Sequence, residues 1–260
     1  MNYRIHYSCV NHTGKCRSVN QDNFICGGRF MEEGKERVIF PLSGCQSCGG
    51  NAVAGVFDGM GGEECGETAA WIAARRAAGI SAERDPLKEL EDFCRDANGQ
   101  ICTWAEKHEI RSMGTTAAVL VFGKREIGLC NIGDSKIFRF AQNRLEQISV
   151  DHYAVGVYGR KPPLSQNLGI PENELLIDPY LAVGSYSGGD VYLLCSDGLT
   201  DMMEREEIAR TLADTPFEEA AERLLNRALE NGGKDNITIL LCRIEREKAS
   251  LFERLFGRNK

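Results

Sequence analysis

The amino-acid sequence predicts an α+β fold in which antiparallel sheets carry pairs of helices on their outer faces. Strand-like runs come in groups and helix-like segments come in pairs, without the one-for-one alternation that a parallel βαβ sheet requires. The 260 residues are 42% hydrophobic and 27% charged, enough to bury one substantial core, and no internal repeat or low-complexity linker divides them.

The first strands are expected at about 3–9, 22–27, 36–40 and 52–57, short apolar or β-branched runs bounded by Gly, Asn or charge. Two helices follow, an Ala-rich one from Glu63 to Gly79 and one from Asp85 to His108. In the second, Asp85 is the expected N-cap and Pro86 the first helical residue. After Gly114, TTAAVLVF, EIGLCNI, SKIFRF and RLEQISV read as an antiparallel meander with Gly-Lys, Gly-Asp and Gln-Asn turns. A less regular stretch, 151–189, precedes the strand VYLLCS. Helices at 204–213 and 216–230 and a last strand, NITILLCRI, complete the pattern. Beyond it, Leu251, Phe252, Leu255 and Phe256 make an amphipathic helix pattern, so the organisation is a domain over 1–246 and a tail over 247–260.

With 31 Lys+Arg against 38 Asp+Glu the net charge is −7, and no basic block stands out, which argues against nucleic acid as a partner. No run is long and apolar enough for a membrane span and no secretory signal opens the chain, so a cytoplasmic location is expected. The eleven cysteines are odd in number and scattered, consistent with reduced, packed thiols. Cys45 and Cys48 form a single C-x-x-C with no second pair or His at zinc spacing; a Gly-rich turn is the simpler reading of PLSGCQSCGGN.

The chemically informative residues are aspartates beside apolar runs, flanked by Gly or Asn: Asp22, Asp58, Asp134, Asp197 and Asp235. Singly, each is an ordinary turn residue. Together, at the ends of segments that must share a core, they would repel one another unless cations neutralised them. An oxygen-only ligand set selects hard cations, Mg²⁺ or Mn²⁺, and the glycines of the DGMGG run, Gly59 among them, let a carbonyl approach a metal. The four histidines show no zinc arrangement, and His152 beside Asp151 reads as a local structural pair.

The ordered blocks RSVNQD, VFDGMGG, GTTAAVLVF, NIGDSKIF, VDH, LLCSDGLTDMM and GGKDNITILL resemble the PPM family, the type 2C metal-dependent serine/threonine protein phosphatases, in its bacterial form, over residues 4–245. The resemblance implies a four-layer αββα sandwich, two antiparallel sheets packed face to face with a helix pair outside each. It further implies hydrolysis of phosphoserine and phosphothreonine by a water bridging two metal ions. Asp58 would bridge the ions, with the Gly59 carbonyl on one of them. Asp22 would reach the first ion directly or through water, Asp197 and Asp235 would hold the second, and Asp134 with Asp197 a third and weaker one. Asn236 would orient the water and Arg17 would clamp the phosphate. Such a site suits a reaction that is very slow uncatalysed, because paired cations both create the nucleophile and neutralise phosphoryl charge. A thiolate mechanism lacks its Cys-x5-Arg loop, since no cysteine is followed by Arg six residues on.

Two departures from the family stand out. Met60 occupies the place of the animal members' His, the proposed general acid, and the flap segment is short, with AVGVYGRKPP running straight into LSQNLGI. The expected partners are phosphorylated proteins and a cognate serine/threonine kinase, and the expected state is a monomer. The competing class is a pseudophosphatase acting as a binding module; retention of the five aspartates and Arg17 argues against it.

Overall fold

A computed structural model describes residues 2–32, 42–50, 52–60, 65–124, 126–156 and 162–247. The expected strand at 36–40 and the amphipathic pattern at 251–256 lie outside the described residues.

In chain order the strands are β1 (Tyr3–His12), β2 (Asn23–Cys26), β3 (Leu42–Ser47), β4 (Val53–Phe57), β5 (Ala117–Phe122), β6 (Ile127–Ile132), β7 (Lys136–Ala141), β8 (Arg144–Gln147), β9 (Tyr180–Gly184), β10 (Val191–Cys195) and β11 (Ile237–Arg246). The helices are α1 (Gly66–Ala77), α2 (Pro86–Lys107), α3 (Asp197–Thr200), α4 (Arg205–Asp214) and α5 (Phe217–Glu230). One antiparallel sheet has the order β3-β1-β11-β10-β7-β8 and the other β2-β4-β5-β6-β9. Helices α1 and α2 cover the second sheet, α4 and α5 the first, and the predicted four-layer sandwich results.

Period-two alternation builds the layers. In β4 and β5 every residue is buried, but neighbours face opposite ways. Val53, Val119 and Val121 pack with Ala70, Ala73, Phe93 and Ile101 of the helices, whereas Ala54, Val56 and Leu120 pack between the sheets with Ile5, Leu194 and Leu240. The alanines of α1 let it lie close to its sheet. Helix α2 starts as predicted, with the Asp85 carboxylate accepting from the N–H groups of Leu87 and Lys88 and Pro86 at the first position.

Three expectations are corrected. The four strands after Gly114 are not a meander: β5-β6 and β7-β8 are hairpins in different sheets, and the Gly133-Asp134 junction carries the chain from one sheet to the other. The segment around Cys45 is the edge strand β3, paired with β1, and the expected Gly-rich turn is confined to residues 48–50 at its end; Gly44 lies against Tyr7, where a Cβ would come within 2.2 Å of the hydroxyl. The irregular stretch contains β9, an edge strand on β6.

Candidate active site

Sheet register brings the aspartates together. Asn23 pairs with Phe57, so Asp22 and Asp58 follow as neighbours just beyond the β2-β4 ladder. Lys136 pairs with Cys195, so the continued register sets Asp134 across from Asp197. Cys195 pairs with Ile239, which brings the 235–237 segment alongside Ser196 and Asp197. All five acids thus stand at one end of the sandwich, Asp22 and Asp58 on one sheet, Asp197 and Asp235 on the other, and Asp134 at the crossing between them.

Close backbone approach at two Asp-Gly pairs holds this end together. A Cβ on Gly59 would lie 2.4 Å from the Gly66 carbonyl oxygen and 2.5 Å from that of Gln21. One on Gly198 would lie 2.0 Å from the Asn236 carbonyl oxygen. Only glycine fits either position. Asp58 is fixed through its backbone: its N–H donates to Thr116 Oγ1 (3.0 Å), and its carbonyl accepts from Thr115 Oγ1 and Thr116 N.

Asp22 is fully buried, with Oδ2 accepting from the hydroxyls of Ser196 (2.7 Å) and Thr238 (2.6 Å). Burial pushes its carboxyl up to about 6; the two hydroxyls and Asp58 pull it down, and the charge of Asp235 raises it further. Arg17 donates to Asp235 Oδ2 at 2.7 Å and also feels Asp58. The expected phosphate clamp is therefore paired with a carboxylate in this conformation. Its side chain is 45% exposed, within reach of solvent.

Asp235 Oδ1 accepts from Asn236 N–H. The Asn236 amide is occupied by the backbone: Oδ1 accepts from Gln21 N, and Nδ2 donates to Thr13 O and Val19 O. It pins the loop that carries Arg17 and Asp22, a role the sequence did not reveal. Buried Asp134 faces the Tyr153 hydroxyl at 3.4 Å, and Tyr153 in turn feels Asp151 and Asp201, the latter one helical turn beyond Asp197. Burial and these three acids raise the Tyr153 phenol well above its ordinary range.

His152 and Asp151 are not a pair. His152 Nδ1 accepts from Gly133 N–H at 3.2 Å and buttresses the crossing, whereas Asp151 holds Lys136 Nζ and Gln147 Nε2. The short flap is cinched at its base by a Tyr153↔Leu164 bridge, while 157–161 lie outside the described residues. Cys45 and Cys48 are free thiols away from this end, and Cys45 Sγ lies 3.7 Å from His6 Nε2.

Among the described residues, no three His, Cys, Asp or Glu side chains close around one point as a finished metal cage. The donor chemistry nonetheless fits a hard divalent cation. The groups are all oxygen, and Asp22 is buried against Asp58 with Asp235 close enough to be felt.

A family model described as "Protein phosphatase 2C" matches residues 42–242. The chain is 28% identical over 253 residues to the serine/threonine protein phosphatase PstP of Mycobacterium tuberculosis, covering 92% of this chain but only 45% of that protein. It is 29% identical over 251 residues to the serine/threonine phosphatase stp of Listeria welshimeri, covering 88% and 91% of the two chains. Among solved structures, the PstP catalytic domain in complex with two manganese ions superposes with a TM-score of 0.76 at 27% identity, covering 94% of this chain and all of that one.

Proposed function

The chain belongs to the protein phosphatase 2C family, and on that premise we propose that it is a metal-dependent phosphatase of phosphoserine and phosphothreonine in proteins. The observation that carries the reading is the gathering of acids from both sheets at one end of the sandwich, Asp22 against Asp58 and Arg17 on Asp235.

Asp22, Asp58 with the Gly59 carbonyl, Asp197 and Asp235 would hold two Mn²⁺ or Mg²⁺ ions between the sheets. Asp134 and Asp197 would take a third. When bound, such ions lower the pKa of a water and neutralise phosphoryl oxygens. The chain's own residues do the rest. Arg17 exchanges Asp235 for two phosphate oxygens, a swap its planar guanidinium and solvent access allow. Asn236 keeps the Arg17 loop in register, its amide being taken up by the backbone of Thr13, Val19 and Gln21. Met60 cannot give a proton to the leaving oxygen, so any general acid must be a group other than the residue after the Asp-Gly pair.

The substrates would be phosphoproteins, with a serine/threonine kinase supplying them. We further propose a monomer acting in the cytoplasm. Among the described residues no helix is long and apolar enough to cross a membrane.

Hydrolysis of p-nitrophenyl phosphate and a phosphothreonine peptide in Mn²⁺ tests the reading. Activity should vanish with EDTA and in Asp197→Ala. Mn²⁺ binding without turnover of any phosphopeptide would identify a binding module instead.

A further inference from the structure

Beneath the acids lies a ring of buried polar groups. The Asp22 backbone N–H donates to Asn20 Oδ1 (3.1 Å), Asn20 Nδ2 to Asn11 Oδ1 (2.5 Å), Asn11 Nδ2 to Thr238 Oγ1 (2.7 Å), and the Thr238 hydroxyl to Asp22 Oδ2 (2.6 Å). Exposure is 1% at Asn11, 3% at Asn20 and nil at Asp22 and Thr238. The ring starts and ends on the same residue.

Its direction is fixed. A backbone N–H can only donate, so Asn20 must offer its oxygen to Asp22 and its NH₂ to Asn11. Asn11 must then offer its oxygen to Asn20 and its NH₂ to Thr238. With that donor on its oxygen, the Thr238 hydroxyl sends its proton to Asp22. Ser196 is oriented in the same way, since its oxygen accepts the Thr238 N–H (2.9 Å) and its proton goes to Asp22 Oδ2. Donors aligned head to tail in a dry interior polarise one another, so the last bond is strengthened by the earlier ones.

We propose that Asn11 and Asn20 are positioning residues of the cation site, which aim the Thr238 hydroxyl at Asp22 and thereby hold the carboxylate in one orientation. Two hydroxyls grip Oδ2 and so fix the plane of the carboxylate. Among the described residues the Asn11 amide bonds only within this ring, at a buried strand position whose neighbour Val10 packs in the hydrophobic core. The inference rests on Asp22 being a metal ligand, as proposed above.

The test is Mn²⁺ affinity of the full chain, read from the EPR signal of free Mn²⁺, in Asn11→Ala, Thr238→Val and the double variant. Each single change should weaken Mn²⁺ about tenfold, as loss of an outer partner of a metal ligand does. The double variant should be no weaker than Thr238→Val alone, because Asn11 acts through that hydroxyl. Thr238→Ser, which keeps the hydroxyl, should bind as the wild type does. Unchanged affinity in Asn11→Ala, or single losses that multiply in the double variant, would overturn the proposal. If Asn11→Ala does not fold, Asn20→Ser breaks the ring one bond earlier and enters the same cycle under the same criterion. Unchanged Mn²⁺ affinity in Asp22→Asn would overturn the ligand assignment itself, a failure distinct from that of the ring.

Discussion

At Asp22 burial and charge work against folding while two hydroxyls work for it. The carboxylate has left water entirely, touches Asp58 and feels Asp235, and burial is the largest influence on its protonation. An amide in its place keeps an oxygen for Ser196 and Thr238 and turns its NH₂ toward Asp58. Asp22→Asn is therefore expected to raise the metal-free melting temperature, by on the order of 1 kcal/mol of stability, and to shrink the Mn²⁺-induced rise. Melts in EDTA and in Mn²⁺ check both signs, and a metal-free variant less stable than wild type would defeat the like-charge account. His12 gives a pH prediction. Its Nδ1 accepts the Gly14 N–H at 2.8 Å, which demands the neutral ring, and partial burial lowers its pKa from 6.5. A His depressed in the folded state contributes stability that is present above the unfolded pKa and lost as pH falls through the folded one. Because the raised Asp22 carboxyl gains stability over the same fall in pH, the His12 contribution is read as a difference: wild type should lose stability relative to His12→Asn, whose amide can accept the same N–H without titrating, in denaturant melts taken from pH 7 to pH 5.

Between elements, the Asp-Gly junctions decide how near strands and helices come. A methyl at Gly198 meets the Asn236 carbonyl at 2.0 Å, backbone against backbone with no flexible side chain to yield. Gly198→Ala should cost about 1–3 kcal/mol and displace Asp197, so that Mn²⁺ affinity falls with stability. Gly99, inside α2, faces open space where a Cβ would stand, with nothing within 4 Å, and Gly99→Ala should stabilise by about 0.5–1 kcal/mol with affinity unchanged. Urea melts of the pair should move in opposite directions. The same geometry explains what was legible in the sequence. The Asp85 cap, the Ala-rich face of α1 and the Asp-Gly blocks are local signals, each carried by a few adjacent residues. Sheet membership is not local: Gly133-Asp134 reads as a hairpin turn, and only the pairing of β6 with β5 and of β7 with β10 shows that the chain leaves one sheet for the other there. Strand β9 escaped because it is an edge, its residues half-buried or exposed and so without a clean alternation. Strand β3 escaped because Gly44, a turn residue by composition, is required by the Tyr7 ring. The duty of Asn236 was hidden too, since its partners Thr13, Val19 and Gln21 lie more than two hundred residues away.

Across the whole molecule the acids stand at one end of the sandwich, with both sheets contributing. Asp22 and Asp58 belong to the sheet backed by α1 and α2, Asp197 and Asp235 to the sheet backed by α4 and α5. Cations shared among them would tie the two layers at that end, and parting the sheets would break every such site at once. Binding should then stabilise the sandwich globally rather than stiffen one loop. For a single site, ligand at 100 times its Kd adds about 2.7 kcal/mol, which for a domain of this size is a rise in melting temperature of roughly 5–10 °C. Amide hydrogen exchange distinguishes the global effect from a local one. With saturating Mn²⁺, protection should increase to a similar degree in β4 and β5 of one sheet and in β10 and β11 of the other, and Asp58→Asn should abolish the gain in both. An increase confined to the segments around Asp197 and Asp235, with β4 and β5 unchanged, would mean that the ions sit on one sheet alone and that Asp58 does not bridge them.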